Sequence, residues 1–290
     1  MKKILVPTDF SIPAENAAQY AVKLAKSLNA DILLCNAIKV PSETPIAAQV
    51  AWPLMDYSTL KEEATTELDT LVEKLCNTSG LDEEENVCPR IACESNKGTV
   101  HEVVGKLVKE REIDLVVMGM AGASGVVQFL LGSNSREMIE KADFPVLFIP
   151  YTAGFKKIRK IVFATNLDRH ELEPLQSLIN LANLLDAEIT ITHITNKEID
   201  RKSKQQHKID DFMKEVVAKV NHPEIKFEKV WNIDVDHGLE WIIDQQDVDL
   251  VAVVHHHHDI LKRVFNGSHT QRLSRHIEIP LLVFPPDKKN

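Results

Sequence analysis

Short apolar runs alternate with longer amphipathic stretches along the whole chain. KKILVPT (2–8) is an apolar run closed by proline and threonine, which predicts a strand. In SIPAENAAQYAVKLAKSLN (11–29), Ala14, Ala17, Ala18, Ala21, Leu24, Ala25 and Leu28 fall on one helical face, and Ser11 stands where an N-cap belongs. ADILLCNAI (30–38) reads as a second strand, STLKEEATTELDTLVEKLC (58–76) as a helix with acids early, CPRIAC (88–93) as a third strand and TVHEVVGKLVKERE (99–112) as a helix. DLVVMG (114–119), SREMIEKA (135–142) and PVLFI (145–149) add a strand, a short helix and a strand. The second half repeats this order, with EKVWN (228–232) as its third strand and HGLEWIIDQQ (237–246) as the next helix. Strands alternating with helices imply a parallel sheet covered on both faces. About 150 residues per half suits a five-stranded doubly wound domain.

The halves are copies. KKILVPTDFS (2–11) superposes on RKIVFATNLD (159–168) at an offset of 157, which sets Pro7 on Ala164, Thr8 on Thr165 and Asp9 on Asn166. DLVVMGMAGASGVVQFLLGSNS (114–135) superposes on DLVAVVHHHHDILKRVFNGSHT (249–270) at an offset of 135, as DFPVLFIP (143–150) does on EIPLLVFP (278–285). The first half therefore carries about 22 more residues between these points, assigned to the Pro-rich stretch 40–58 with Trp52, Met55 and Tyr57. The expected domains are 1–150 and 157–290, joined by YTAGFKK (151–157). PVLFI and PLLVF (280–284) are expected to pair across a pseudo-twofold axis, an intramolecular pseudo-dimer that protects both sheet edges. The pattern leaves a further homodimer open.

Composition narrows the partners. A formal charge of −9 with dispersed lysines and arginines argues against nucleic acid as a partner. No apolar run approaches the roughly eighteen residues a bilayer requires, so no membrane is expected. Pro7 and Asp9 break the first apolar stretch too early for a signal peptide, and a cytoplasmic location is the expectation. The cysteines at 35, 76, 88 and 93 form neither a disulfide framework nor a metal knuckle, so four reduced thiols are expected.

The chemistry gathers where ligands of doubly wound sheets bind, beyond the carboxyl ends of the strands. Three loops lie there: Pro7-Thr8-Asp9, the residues from Ala37, and the glycine segment from Gly119 to Ser135. Gly119 and Gly122 bring no Cβ, so backbone N–H groups can approach an anion and adopt positive φ. Gly132-Ser133-Asn134-Ser135 opens a helix, whose free N–H groups and dipole favour an anion. Asp9 offers a carboxylate to an exocyclic amine or a ribose hydroxyl. A P-loop is excluded, because Leu107 follows Gly105-Lys106 and Val100 stands where the first glycine belongs. The dinucleotide fingerprint is excluded as well, because the glycines follow the fourth strand rather than the first.

Gly119, Gly122 and Gly132-Ser133 form a G-x2-G-x9-G-S pattern that resembles the nucleotide-binding signature of the universal stress protein family. KKILVPTDFS resembles that family's first strand and turn, and the likeness covers the chain as two tandem copies. It implies the adenine nucleotide alpha hydrolase-like, Rossmann-like α/β fold and binding of ATP or a related adenine nucleotide, with Mg as an accompanying ion. The resemblance sets Asp9 and Ala37 beside the base, and Pro7 and Thr8 of the same first turn among the nucleotide-binding residues. It sets Gly119, Met120 and Gly122 on the sugar and phosphates, and Gly132, Ser133, Asn134 and Ser135 on the phosphate tail. Ala37 stands where the family often has valine, and Val100 where it often has proline.

The second copy departs from this pattern. Val254 and His257 replace Gly119 and Gly122, and Asn166 replaces Asp9, while Gly267-Ser268-His269-Thr270 keeps the helix start. One intact nucleotide site and one degenerate site are expected. On an extended chain at most two of His255 to His258 share a face, so no dedicated metal site is expected even with His269 nearby. No nucleophile–base pair stands at a motif spacing, and Asp9 lies at the adenine end, too far from a γ-phosphate to act as base. The expectation is a nucleotide-binding sensor or regulator with slow hydrolysis at most, not an enzyme. The alternative is a family member acting as a protein-interaction or small-ligand module without nucleotide.

Overall fold

The computed structural model describes residues 2–39, 57–78, 88–120, 132–195, 204–219, 225–231, 235–255 and 279–285. The chain forms two compact units, Met1–Gly119 and Met120–Asn290.

The first unit runs β1 (Lys3–Pro7), α1 (Ile12–Leu28), β2 (Asp31–Ile38), α2 (Tyr57–Thr78), β3 (Ile91–Lys97), α3 (Val100–Arg111) and β4 (Leu115–Met120, whose last residue opens the second unit). Its strands are parallel in the order β3-β2-β1-β4. Ile4, Leu5, Val6, Leu34, Val116 and Val117 have no accessible surface, as expected of strands covered on both faces. The chain steps from β1 through β2 to β3 in one direction and returns to β4 in the other. Right-handed crossovers therefore put α1 and α2 on one face, where they touch each other, and α3 on the opposite face.

The helices begin where the sequence says they should. Ser11 accepts the N–H of Ala14 (3.5 Å), Pro13 lies in the first turn, and the alanine face of α1 is buried. Thr99 and Glu102 form a reciprocal capping box at α3. Both helices end on a left-handed residue, Asn29 (φ 48°) and Glu112 (φ 53°).

The second unit contains α4 (Ser133–Lys141), β5 (Val146–Pro150), β6 (Lys160–Ala164), a 3₁₀ turn (Arg169–Glu171), α5 (Leu172–Leu185), β7 (Glu188–Thr195), α6 (Lys204–Lys219), β8 (Ile225–Trp231), α7 (Val235–Gln246), β9 (Leu250–Val254) and β10 (Leu281–Phe284). Its strand order is β5-β10-β9-β6-β7-β8. All neighbours are parallel except β5 and β10, which run antiparallel with Leu281 opposite Phe148, Leu282 opposite Leu147 and Val283 opposite Val146. Leu147 and Leu282 are equivalent in the repeat, so a local twofold axis passes through that pair. The expected pairing of PVLFI with PLLVF is therefore present. Because β5 joins β10, the unit boundary falls at Met120 rather than at the junction of the sequence repeat.

One expectation about the cysteines fails: Cys76 and Cys88 are joined in a disulfide. It ties the last turn of α2 to the chain entering β3, an approach of two non-adjacent segments that spacing alone does not show. Cys35 and Cys93 are free. Among the described residues no helix is long and apolar enough to cross a membrane. Most of the 40–58 insert lies outside the described residues; its last two, Tyr57 and Ser58, start α2.

Candidate functional site

The turn between β1 and α1 is built by side-chain to backbone bonds. The Thr8 hydroxyl accepts the N–H of Phe10 (3.0 Å), which holds Phe10 at φ 61°. The N–H of Thr8 donates to the Cys35 carbonyl (2.8 Å), and Asn36 Nδ2 donates to the Thr8 carbonyl (2.9 Å). The turn is thus fastened to the end of β2. Asp9 Oδ1 accepts both the N–H (3.1 Å) and the hydroxyl (2.5 Å) of Ser11. That carboxylate orients the residue that caps α1, a local role in addition to any ligand contact.

Pro7, Thr8, Asp9, Ala37 and Gly119 lie at the carboxyl ends of three neighbouring strands of the first unit, β2, β1 and β4. Ala37 is level with Asn96 of β3, and Asn36 with Ser95, whose buried hydroxyl has no hydrogen-bond partner among the described residues. Asn36 was not singled out in the sequence. The signal available was an amide in an otherwise apolar strand, next to the residue assigned to the base.

Gly119 departs from expectation in conformation. Among the described glycines only Gly98 has a positive φ (145°), and Gly119 lies in β4. A Cβ there would meet the Pro13 carbonyl oxygen at 2.3 Å. Its lack of a side chain lets the first turn of α1 lie against β4. The second copy has Val254 at this position, fully buried, and its first turn is 3₁₀ rather than α-helical.

Met120, Gly132, Ser133, Asn134 and Ser135 belong to the second unit; Gly122 lies outside the described residues. Met120 is buried at the end of β4. Gly132 is the N-cap of α4, and among the described residues no side chain caps that helix. The first intrahelical bond is from Arg136 N–H to the Gly132 carbonyl (2.9 Å), so the N–H groups of Ser133, Asn134 and Ser135 precede the helical ladder. Such a terminus attracts anions through its N–H groups and dipole.

The second copy reproduces the turn with other residues. Thr165 accepts the N–H of Leu167 (2.9 Å), which also sits at φ 61°, and Thr165 N–H donates to the Thr192 carbonyl (2.9 Å). His193 Nδ1 bonds the Thr165 carbonyl (2.9 Å) in the role of Asn36, so Nδ1 carries the proton. Ile194 replaces Ala37 and reaches α7 at Gly238, where an added Cβ would lie 2.5 Å from Ile194 Cγ2. His255 is buried just after β9; His256, His257, His258 and residues 267–270 lie outside the described residues. Among the described residues no three metal-ligating side chains converge.

The free thiols are poorly placed for nucleophilic work. Burial, aided by Glu94, pushes the Cys35 thiol far above its usual range. Burial, aided by Asp69, raises that of Cys93. Both stay protonated at neutral pH, and a thiol attacks only as its thiolate.

These features define a tandem doubly wound α/β protein whose two copies build the turn after their first strand with different residues. A model of the universal stress protein family matches residues 1–150 and 157–285, and the chain belongs to that family. Universal stress protein MJ0531 of Methanocaldococcus jannaschii is 30% identical over 148 residues, spanning 51% of this chain and 81% of that protein. Universal stress protein Slr1230 of Synechocystis is 24% identical over 310 residues, spanning 98% of this chain and all (100%) of that protein. The crystal structure of a universal stress protein from Archaeoglobus fulgidus aligns over 98% of both chains with a TM-score of 0.68 at 14% identity, a likeness of fold.

Proposed function

We propose that the chain binds one adenine nucleotide, ATP or a relative, through its first copy and works as a stress-response sensor or regulator rather than a catalyst. The observation that carries this reading is the start of α4. Ser11 and Thr99 cap α1 and α3, whereas Gly132 leaves α4 without a side-chain cap and two serines follow it. A helix start of this kind suits phosphate oxygens. At the carboxyl ends of β1 and β2, Thr8, Asp9 and the small Ala37 supply polar contacts and room for a base. The second copy, with Val254 and Ile194 in place of Gly119 and Ala37, contributes no equivalent site. Mg accompanies the phosphates without a ligand set of its own, and hydrolysis is slow at most because no general base is assigned near the phosphate end.

The test is thermal melting with ATP, ADP and AMP at millimolar levels. A ligand present at about 100 times its Kd stabilises the fold by about 2.7 kcal/mol, a shift of several degrees. Mass spectrometry of small molecules released from purified protein identifies the phosphorylation state. No shift with any of the three, and no nucleotide released, rules the reading out.

A further inference from the structure

The last turn of α2 carries a crosslink that the equivalent helix of the second copy does without. Leu68, Leu71 and Leu75 of α2 are buried, and Ile209, Phe212 and Val216 of α6 are buried at the same spacing. The residue after the last of each set is Cys76 in α2 and Val217 in α6. Val217 is 74% exposed, so this position points away from the core. The second half of the chain contains no cysteine. In the first half Cys76 is joined to Cys88, and both residues are only half-buried. Each helix is therefore held by its apolar face, and the bond is added at the surface of one copy.

We propose that Cys76 and Cys88 form a thiol–disulfide exchange site, opened by low-molecular-weight thiols and closed again by their disulfides. Exchange needs access, and exposed disulfides are the labile ones. Reclosure needs alignment. With α2 held by Leu68, Leu71 and Leu75, the opened cysteines stay near their present Cα separation of 5.6 Å, within the span of a disulfide. The remaining cysteines compete poorly, since Cys35 is buried and Cys93 lies five residues beyond Cys88, in β3, with its thiol held protonated. In the opening reaction a small thiolate attacks one sulfur of the pair. A mixed disulfide forms, and the other cysteine leaves as a thiolate and takes up a proton. A second small thiolate then attacks the small thiol's sulfur in that mixed disulfide. This releases the oxidised small disulfide, and the last cysteine takes the second proton. Two electrons and two protons have passed from two small thiols to the cysteine pair, and closing runs the same steps in reverse. The first copy thus carries a redox-responsive tie between α2 and the entry to β3, independent of the nucleotide reading above.

The test equilibrates the full chain, without denaturant, in mixtures of glutathione and glutathione disulfide. Samples are quenched in acid, alkylated with N-ethylmaleimide in denaturant and weighed intact. The closed form takes two alkyl groups, on Cys35 and Cys93, and the open form four. The count is expected to pass from two to four, and back, as [GSH]²/[GSSG] changes by about a hundredfold, the width of a two-state exchange. Circular dichroism should show a folded chain at both ends. Cys93→Ser should lower each count by one and leave the midpoint in place, and Cys76→Ser should carry glutathione at Cys88 in the oxidising mixtures. A pair that stays closed at every ratio is a fixed structural bond, and one that stays open at every ratio is no bond. Unfolding on opening would show that the bond holds the fold. Each of these results overturns the proposal, as does a Cys88 that takes up no glutathione in a folded Cys76→Ser. If Cys76→Ser fails to fold, the titration of the unaltered chain decides alone.

Discussion

Among the described residues six other than glycine hold a positive φ, and they form three pairs related by the repeat: Phe10 and Leu167, Asn29 and Asp186, Glu112 and Asp247. The backbone of each copy therefore bends at the same points although the residue types differ. A second set of pairs is polar. Asp114 accepts the N–H groups of Lys2 and Lys3, as Asp249 accepts those of Arg159 and Lys160, and each copy's lysine then bonds the carbonyl that ends the preceding helix. The repeated Asp-Leu-Val was visible in the sequence, but its clamp on the first strand was not, because the partners are some ninety to a hundred and ten residues away. Gly119 shows the same limit. Its position at the carboxyl end of the fourth strand was legible, whereas the Pro13 carbonyl that excludes a side chain there is a tertiary neighbour. Gly119→Ala is expected to cost about 2–3 kcal/mol, as overpacking against backbone does. Gly105, inside α3 with nothing within 4 Å of an added Cβ, should instead gain about 1 kcal/mol as alanine from helix propensity. Denaturant midpoints of the two variants check this, and equal shifts would contradict the close approach.

Capping signals made the helices readable, since Ser11 and the Thr99–Glu102 pair announce starts by local chemistry that needs no partner elsewhere. Contacts between elements were not readable in this way. Between the second strand and the last crossover helix of the second copy Ile194 meets Gly238, and the repeat sets Ala37 and Val103 of the first copy on these two positions, an exchange of volume. Only superposing both helices and both strands reveals that the large residue has moved from helix to strand. The disulfide is the clearest case. Cys76 and Cys88, separated by 12 residues, meet because α2 packs along β3, and no local rule says so. A loop of this length adds about 3 kcal/mol by restricting the unfolded chain. Reduction, or Cys76→Ser, should lower stability by about that amount. Thiol titration in denaturant should find two free groups before reduction and four after. Four before reduction would show that the pair is not joined.

At the scale of the whole chain the duplication was the most legible feature, because two offsets in one sequence fix the element order twice over. Of the glycine segment, Gly119, Met120 and the start of α4 lie within the described residues, at the end of a strand and the head of a helix. The antiparallel meeting of β5 and β10 followed from symmetry. Equivalent strands that pair edge to edge about a twofold axis must run in opposite directions, with one residue facing its own counterpart. Here that residue pair is Leu147 and Leu282, both buried and directly opposite. Each leucine loses similar surroundings when truncated, so Leu147→Ala and Leu282→Ala should destabilise by comparable amounts within the roughly 2–5 kcal/mol of buried leucines. Because each side chain covers the other, the second truncation enters a cavity the first has already opened. The double variant should therefore lose less than the two losses together, with a coupling of about 1 kcal/mol. Urea titrations of the four proteins measure the cycle. Additivity within about 0.3–0.5 kcal/mol, the behaviour of sites that do not touch, would place the axis elsewhere.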